Sequence, residues 1–163
     1  MTLVSHLRVK KTLIGRLKLQ KNSTEILVVA AALISDSGEI LMQRRRQHGI
    51  HGGLWEFPGG KIEALESPEM ALVREIEEEI GIRLDAFSLR PVSFASGARD
   101  PKSPEEGLVI LLYSCREWQG DVQCLDGDEI AWVAPGSIRD LEMPPLDYPL
   151  ADALLAALQN NSI

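Results

Sequence analysis

Nine consecutive apolar residues, Ile26 to Ile34, constrain the fold more than any other stretch of this sequence. The run is half of the roughly 18–20 residues that a membrane span needs, and it reads as a buried strand. Ser35-Asp36-Ser37-Gly38 follows as a turn, and Glu39–Arg45 as the partner strand. Five glycines, at 49, 52, 53, 59 and 60, then punctuate residues 48–60. Ser67-Pro68 has the chemistry of a helix start, a hydroxyl cap followed by a residue with no N–H to satisfy, and Gly81 marks the stop. Beyond it, Ile82–Ala95 is strand-like, 96–106 reads as a polar loop, and Leu108–Cys115 is a second buried strand. A short strand at Ile130–Val133 and a helix over Asp147–Leu158 complete the pattern. Mixed strands with two helices predict an α/β or α+β layered domain. At 163 residues, 45% of them apolar, the chain can build one such domain with a real core. Cys115 and Cys124 are too few for a disulfide framework and lack a zinc spacing, so both are expected to be reduced core thiols.

Charge narrows the function. The net charge is −7, yet residues 1–24 hold Arg8, Lys10, Lys11, Arg16, Lys18 and Lys21 and no acid. Setting those six aside leaves eleven basic residues against twenty-four acidic ones, a net of −13 from Glu25 onward. Phosphate-tracking affinity comes from clustered Lys and Arg, so this body is not expected to hold nucleic acid stably. A polyanion would have to be recruited through a divalent cation. The first 24 residues are read as a mobile basic arm or as the product of a start codon placed too far upstream. Their Leu3, Leu7, Ile14 and Leu17 could share one helix face, and the missing acids leave a targeting role open. The domain is placed at 25–160.

The helix Pro68–Ile80 carries the chemistry. At about 100° per residue, Leu72, Val73, Ile76 and Ile80 share one arc, and Glu75, Glu78 and Glu79 an adjacent one. Three carboxylates at i, i+3 and i+4 repel one another, with only Arg74 close in sequence to offset them. By itself such a cluster is either a solvated face or a site for a hard cation such as Mg²⁺, which prefers carboxylate oxygens.

The surrounding residues decide between the two. Counting from Gly60, Glu66 follows after five residues, Arg74-Glu75-Ile76 after seven more, then Glu78-Glu79 and Gly81-Ile82. This resembles the Nudix box, G-x5-E-x7-R-E-U-x-E-E-x-G-U with U aliphatic, at every defined position. Leu54 to Glu63 (LWEFPGGKIE), Gln43-Arg44-Arg45, Cys115 to Gly120, Trp132-Val133 and Pro144 to Leu150 resemble the MutT branch of the Nudix hydrolases. The similarity covers about residues 25–158.

The resemblance implies a Nudix fold, a mixed sheet sandwiched between helices, and a Mg²⁺-dependent hydrolase, with Mn²⁺ a possible substitute. Its expected reaction takes a nucleoside triphosphate to the monophosphate and pyrophosphate, with oxidised nucleotides such as 8-oxo-dGTP as leading substrates. CTP, a 5-substituted dCTP or another nucleotide is the alternative, and a catalytically silent nucleotide-binding module the rival outside the enzymes. It also implies roles. Glu78 and Glu79 would be the principal metal ligands, with Glu75 a ligand or the orienter of the attacking water, and the Gly59 carbonyl would ligate too. Arg74 would hold the glutamates in register, and Glu66 would support the loop or an outer shell. A distal acidic ligand would be Asp126, with Asp128 and Glu129 as competitors. Arg45 or Arg44, with Lys61, would contact phosphate, and Arg46 is read as surface charge. Asp147 is either the base-reading residue or the cap of its helix. An ionised Asp only accepts hydrogen bonds, which suits guanine or 8-oxoguanine edges rich in N–H groups. His48 and His51 are read as loop residues, and Trp55, Phe57, Trp118 and Trp132 as core or rim. A small-molecule substrate, no membrane association, a monomer or homodimer and a cytoplasmic location complete the expectation.

Overall fold

The computed structural model describes residues 25–100 and 102–163, so the basic arm lies outside the described residues. Ile26–Leu33 forms strand β1, and from Val29 onward its apolar residues are buried on both sides of a sheet, whereas Leu27 is exposed. Val29, Ala31 and Leu33 face one way into a core with Leu72, Ile76 and Ile80 of the helix α1, Pro68–Ile80. Ala30 and Ala32 face the other way, into a core shared with Leu150, Ala151 and Leu154 of the last helix α2, Asp147–Gln159. A strand covered on both faces needs no polar alternation, which is why its sequence shows none.

β1 pairs in parallel with β6, Ser103–Cys115, and antiparallel with the short strand β4, Gly59–Lys61. β5, Arg90–Asp100, lies antiparallel on the outside of β6. The order β4-β1-β6-β5 therefore makes a mixed sheet with a helix on either face. β2, Ile40–Arg44, lies between β3, Trp55–Glu56, and β7, Glu129–Val133, in a second, antiparallel sheet of order β3-β2-β7.

Helix α1 begins and ends as its sequence predicts. Ser67 Oγ accepts the Met70 N–H at 3.2 Å, Pro68 opens the first turn, and Gly81 closes it at φ 77°, donating to Glu77 O. Its buried residues are Ala71, Leu72, Ile76 and Ile80.

Three expectations need correction. Residues 96–106 are not a loop: β5 and β6 run on past the core as a hairpin whose outermost pair is Asp100 with Ser103. Polar residues stand there because the arms have left the hydrophobic layers, and a strand surrounded by water loses the apolar signal. Residues 82–89, by contrast, hold only an isolated bridge at Arg83 and a 3₁₀ turn at Ala86–Ser88, and Asp85 caps that turn through the Phe87 N–H. Cys115 is buried as expected, whereas Cys124 is exposed. The strands β3 and β4 and the 3₁₀ helix Pro135–Asp140 are too short to leave a periodic signature.

Gly59 lets β4 close on β1, since a Cβ there would stand 2.1 Å from the Val29 carbonyl oxygen. At Gly38, in the β1–β2 turn at φ 83°, a Cβ would meet no atom within 4 Å. Gly59→Ala should therefore lower the unfolding free energy by about 3 kcal/mol or more, whereas Gly38→Ala should cost only about 1 kcal/mol from its backbone angle. Urea melts of the two variants test this, and equal losses would refute the close-approach argument.

Candidate active site

α1 and the β3–β4 corner meet at one end of a cleft of about 740 Å³. Arg74 organises that corner. Its Nε and Nη2 bond the two oxygens of Glu66 at 2.8 and 2.9 Å, Nη1 bonds Glu75 Oε1 at 2.8 Å, and Nη2 also donates to Lys61 O at 3.1 Å. The bidentate pairing holds the Glu66 carboxyl down at about 2, helped by the Glu63 N–H, and it raises Arg74 further above its ordinary range. Glu78 extends towards the same guanidinium at 3.6 Å and is otherwise solvated. A Cβ on Gly60 would lie 2.2 Å from the Glu75 carboxyl carbon, so the glycine admits that side chain to the corner.

Glu79 is the carboxylate turned inward. Its Oε2 accepts the Gly59 N–H at 3.0 Å. Burial is the first cause that pushes its carboxyl up to about 8, outweighing that bond, and the negative charges of Glu56, Glu75 and Asp126 add to the rise. Asp126 comes to Glu79 because the loop carrying it is tied to α1: the Leu125 and Asp126 N–H groups both donate to Glu79 O, at 2.8 and 3.3 Å. Arg45 pairs with Glu56, Arg74 with Glu75 and Arg46 with Asp126, so that among the described residues Glu79 alone of these four has no cationic partner. A hard divalent cation fits that donor set. In these rotamers, however, no three acidic, histidine or cysteine side chains among the described residues converge as a group that could hold an ion. Arg74 draws Glu75 and Glu78 one way while the Gly59 N–H fixes Glu79 in another.

The basic candidates separate. Arg45 and Lys61 line the cleft, and Arg45 is paired with Glu56. Arg44 is not among the lining residues: it donates to Gly53 O at 3.0 Å and lies 3.5 Å from Glu129. Adjacent side chains on an extended segment point to opposite faces, so Arg44 and Arg45 could not both enter. Arg46 is exposed, as a surface charge is, and it also lines the cleft and pairs with Asp126. Asp126 is also the one of the three distal acids that lines the cleft. His48 and His51 lie on its rim.

The other end of the cleft is apolar, walled by Ile26, Val28, Leu108, Ile110 and Leu146, with the hairpin residues Ala98 and Arg99 alongside. Phe57 is 3% exposed and contributes to this end and to the core together. Trp55 packs against the core, and Trp118 and Trp132 stack on each other with ring centroids 6.0 Å apart.

Asp147 sits at this end, 4% exposed. It is not a helix cap: it is the first residue of α2, no side chain caps that helix, and its Oδ1 accepts the Phe57 N–H at 3.2 Å. Burial pushes its carboxyl up to about 7, with Glu56 adding to the rise, while the Phe57 bond and Arg45 oppose it. Near neutrality it therefore exists both as an acceptor and as a donor. Glu56 is a cleft residue that sequence reasoning misses: it is half-buried beside Arg45 and Asp147, and desolvation raises its carboxyl too. Its position beside Phe57-Pro58-Gly59-Gly60 is the available signal.

Among known proteins, the model of the NUDIX domain matches residues 25–154. A CTP pyrophosphohydrolase of Escherichia coli (strain K12) is 33% identical over 134 residues, which is 81% of this chain and 93% of the relative. An 8-oxo-dGTP diphosphatase of Haemophilus influenzae is also 33% identical, over 138 residues, 83% of this chain and 96% of the relative. Among solved structures, that of the E. coli ORF135 protein superposes with a TM-score of 0.70 at 31% identity, covering 82% of this chain and 90% of the other.

The raised Asp147 carboxyl has a thermodynamic consequence. Its folded pKa lies above the unfolded value, so folding takes up a proton between about pH 4 and pH 7. The cost of burying the anion is absent below that window and complete above it. Asp147→Asn keeps the oxygen that accepts from Phe57 and removes the charge. It should be no more stable than the parent near pH 4, and more stable by a few kcal/mol above pH 7. Parallel stability curves for the two proteins from pH 4 to pH 8.5 would refute the assignment.

Proposed function

The chain belongs to the Nudix family and is a Nudix hydrolase, and on that premise we propose that it hydrolyses a nucleoside triphosphate to the monophosphate and pyrophosphate, with 8-oxo-dGTP as the preferred substrate. One observation carries the reading: a single cleft joins a corner of carboxylates and basic groups to an apolar chamber that holds one buried, hydrogen-bonding carboxyl. A triphosphate suits the first end and a base the second.

Nudix hydrolases generally use divalent metal ions, and Mg²⁺ is the ion proposed here. When bound, such an ion screens the charge of the triphosphate and lowers the pKa of an attached water. Glu79, Glu78 and Asp126 would hold it, with the Gly59 carbonyl. Glu75 would orient the attacking water, kept in place by Arg74, whose other contacts fix Glu66 and the β4 backbone. Lys61 and Arg45 would receive the phosphates, Arg45 being drawn from Glu56 as negative charge arrives. Positioning and electrostatics of this kind account for most of the catalysis of phosphoryl-type transfer.

The base end supports a purine. Asp147 commits Oδ1 to Phe57 and leaves Oδ2 for a ligand. An ionised Oδ2 accepts from the N1–H or the amino group of guanine, and 8-oxoguanine adds an N7–H that a second acceptor can use. The relative named for CTP hydrolysis favours a second reading, in which the cytosine amino group meets the same oxygen. A protonated Asp147 would serve cytosine better, since it can donate to N3 while its other oxygen accepts.

A panel of 8-oxo-dGTP, dGTP, CTP and a 5-substituted dCTP with Mg²⁺, read as kcat/KM with product identification, decides between these substrates. Efficiency on 8-oxo-dGTP well above the others, with pyrophosphate released, is the expected outcome, and a cytidine preference would move the assignment to the second reading. Glu78→Gln, at an exposed position, should leave the melt unchanged and lower kcat by roughly 100-fold or more. Wild-type turnover in that variant would remove Glu78 from the site. Asp147→Asn should shift relative kcat/KM among the bases more than it changes the hydrolysis of any one of them.

A further inference from the structure

Gln43 lies in β2 at the acidic end of the cleft and is 3% exposed. Its Nε2 donates to the backbone carbonyl of Asp126 at 2.6 Å, and because that partner can only accept, the orientation of the amide is settled. Oε1 is thereby fixed as an acceptor. It is the one buried side-chain nitrogen or oxygen among the described residues without a hydrogen-bond partner. An orphan of this kind costs about 1–3 kcal/mol, so its retention on a cleft wall points to a donor that arrives with a ligand.

No described residue supplies that donor at this spot. Glu56, directly across the strand pair from Gln43, is engaged by Arg45, and the Asp126 side chain is held by Arg46. The loop is otherwise pinned on both sides, by Glu79 O through the Leu125 and Asp126 N–H groups and by Arg44 O through the Asp128 N–H at 3.0 Å. Gly127 lies so close that a Cβ would stand 2.9 Å from Gln43 Nε2 and 3.1 Å from Arg44 O, and its φ is 114°. The carboxamide thus wedges between β2 and the segment that carries Asp126 towards Glu79.

We propose that Gln43 is a positioning residue for a divalent cation: its N–H holds the Asp126 segment in reach of Glu79, and its Oε1 accepts from a water in the cation's hydration shell. A hydrated cation presents only donors, and a neutral oxygen takes one without adding to the repulsion among the carboxylates. The inference rests on the metal-dependent reading above and adds to it a residue outside the box.

The test is Mn²⁺ affinity of the full chain without nucleotide, measured from the electron paramagnetic resonance signal of the free ion. Gln43→Met keeps the volume and removes both amide groups, and it should weaken binding at least 10-fold while circular dichroism shows a folded chain. Glu79→Gln serves as the control for the metal site. If Glu79→Gln weakens binding and a folded Gln43→Met does not, the proposal for Gln43 is overturned and the metal reading stands. If the parent protein binds no Mn²⁺, both fall. Should Gln43→Met fail to fold, Gly127→Ala presses on the same amide from the loop side. A loss of affinity there supports the proposal, and unchanged affinity overturns it.

Discussion

Repulsion between carboxylates held close together is the constraint about which this molecule is arranged. Glu66, Glu75, Glu78 and Glu79 lie within one helix and the loop before it, and among the described residues one guanidinium, that of Arg74, contacts three of them. Arg74 also donates to the backbone of β4, so a single side chain ties loop, strand and helix together. The planar fork of arginine suits this role, because it meets both Glu66 oxygens and still has an N–H for Glu75, which a lysine ammonium on a flexible stem would not reproduce. Glu79 lies beyond its reach and takes the Gly59 N–H, which does not offset burial. Among the described residues Glu79 thus has no cationic partner, an arrangement that a purely structural helix would avoid.

The sheet explains why the corner forms where it does. β1 places alternate residues into two cores, one roofed by α1 and one by α2, and β4 is bonded to its edge by three pairs. Gly59 and Gly60 therefore stand directly beneath the glutamate face of α1. The residues of β1 that line the cleft, Ile26, Val28 and Ala30, belong to the face opposite α1, so the apolar chamber and the acidic corner share one strand. Burial of β1 fixes both ends of the site together.

How much of this is legible in the sequence follows from the length scale of each signal. The buried strand, the capped helix and the glutamate spacing are each written in more than eight residues, and all are readable. β3 and β4 have two and three residues and cannot be read from periodicity, although the glycines at 59 and 60 mark the place. The outer part of the β5–β6 hairpin reads as a loop because polar side chains on a strand in water look like loop composition. Contacts between distant segments are the least accessible. In the sequence Asp147 reads equally as a helix cap or a base-reading residue until Phe57, ninety residues away, is found on its carboxyl, and the choice of Arg45 over Arg44 needs the facing of one strand end.

Asp147 shows how such a long-range contact changes chemistry as well as position. As a cap it would be solvated, ionised and only an acceptor. Buried beside Glu56 and bonded to one N–H, its carboxyl titrates close to neutrality and can offer either a lone pair or a proton. Base edges differ in their order of donors and acceptors, so the protonation state that a bound base stabilises is part of its recognition. A base rich in N–H groups keeps the residue ionised, whereas one presenting a ring acceptor favours the acid form, at a free-energy cost set by the pH. On the proposed reading, selectivity in this cleft is coupled to proton uptake by a single carboxyl, whose dry surroundings are set by β3, the Phe57 N–H and the first turn of α2.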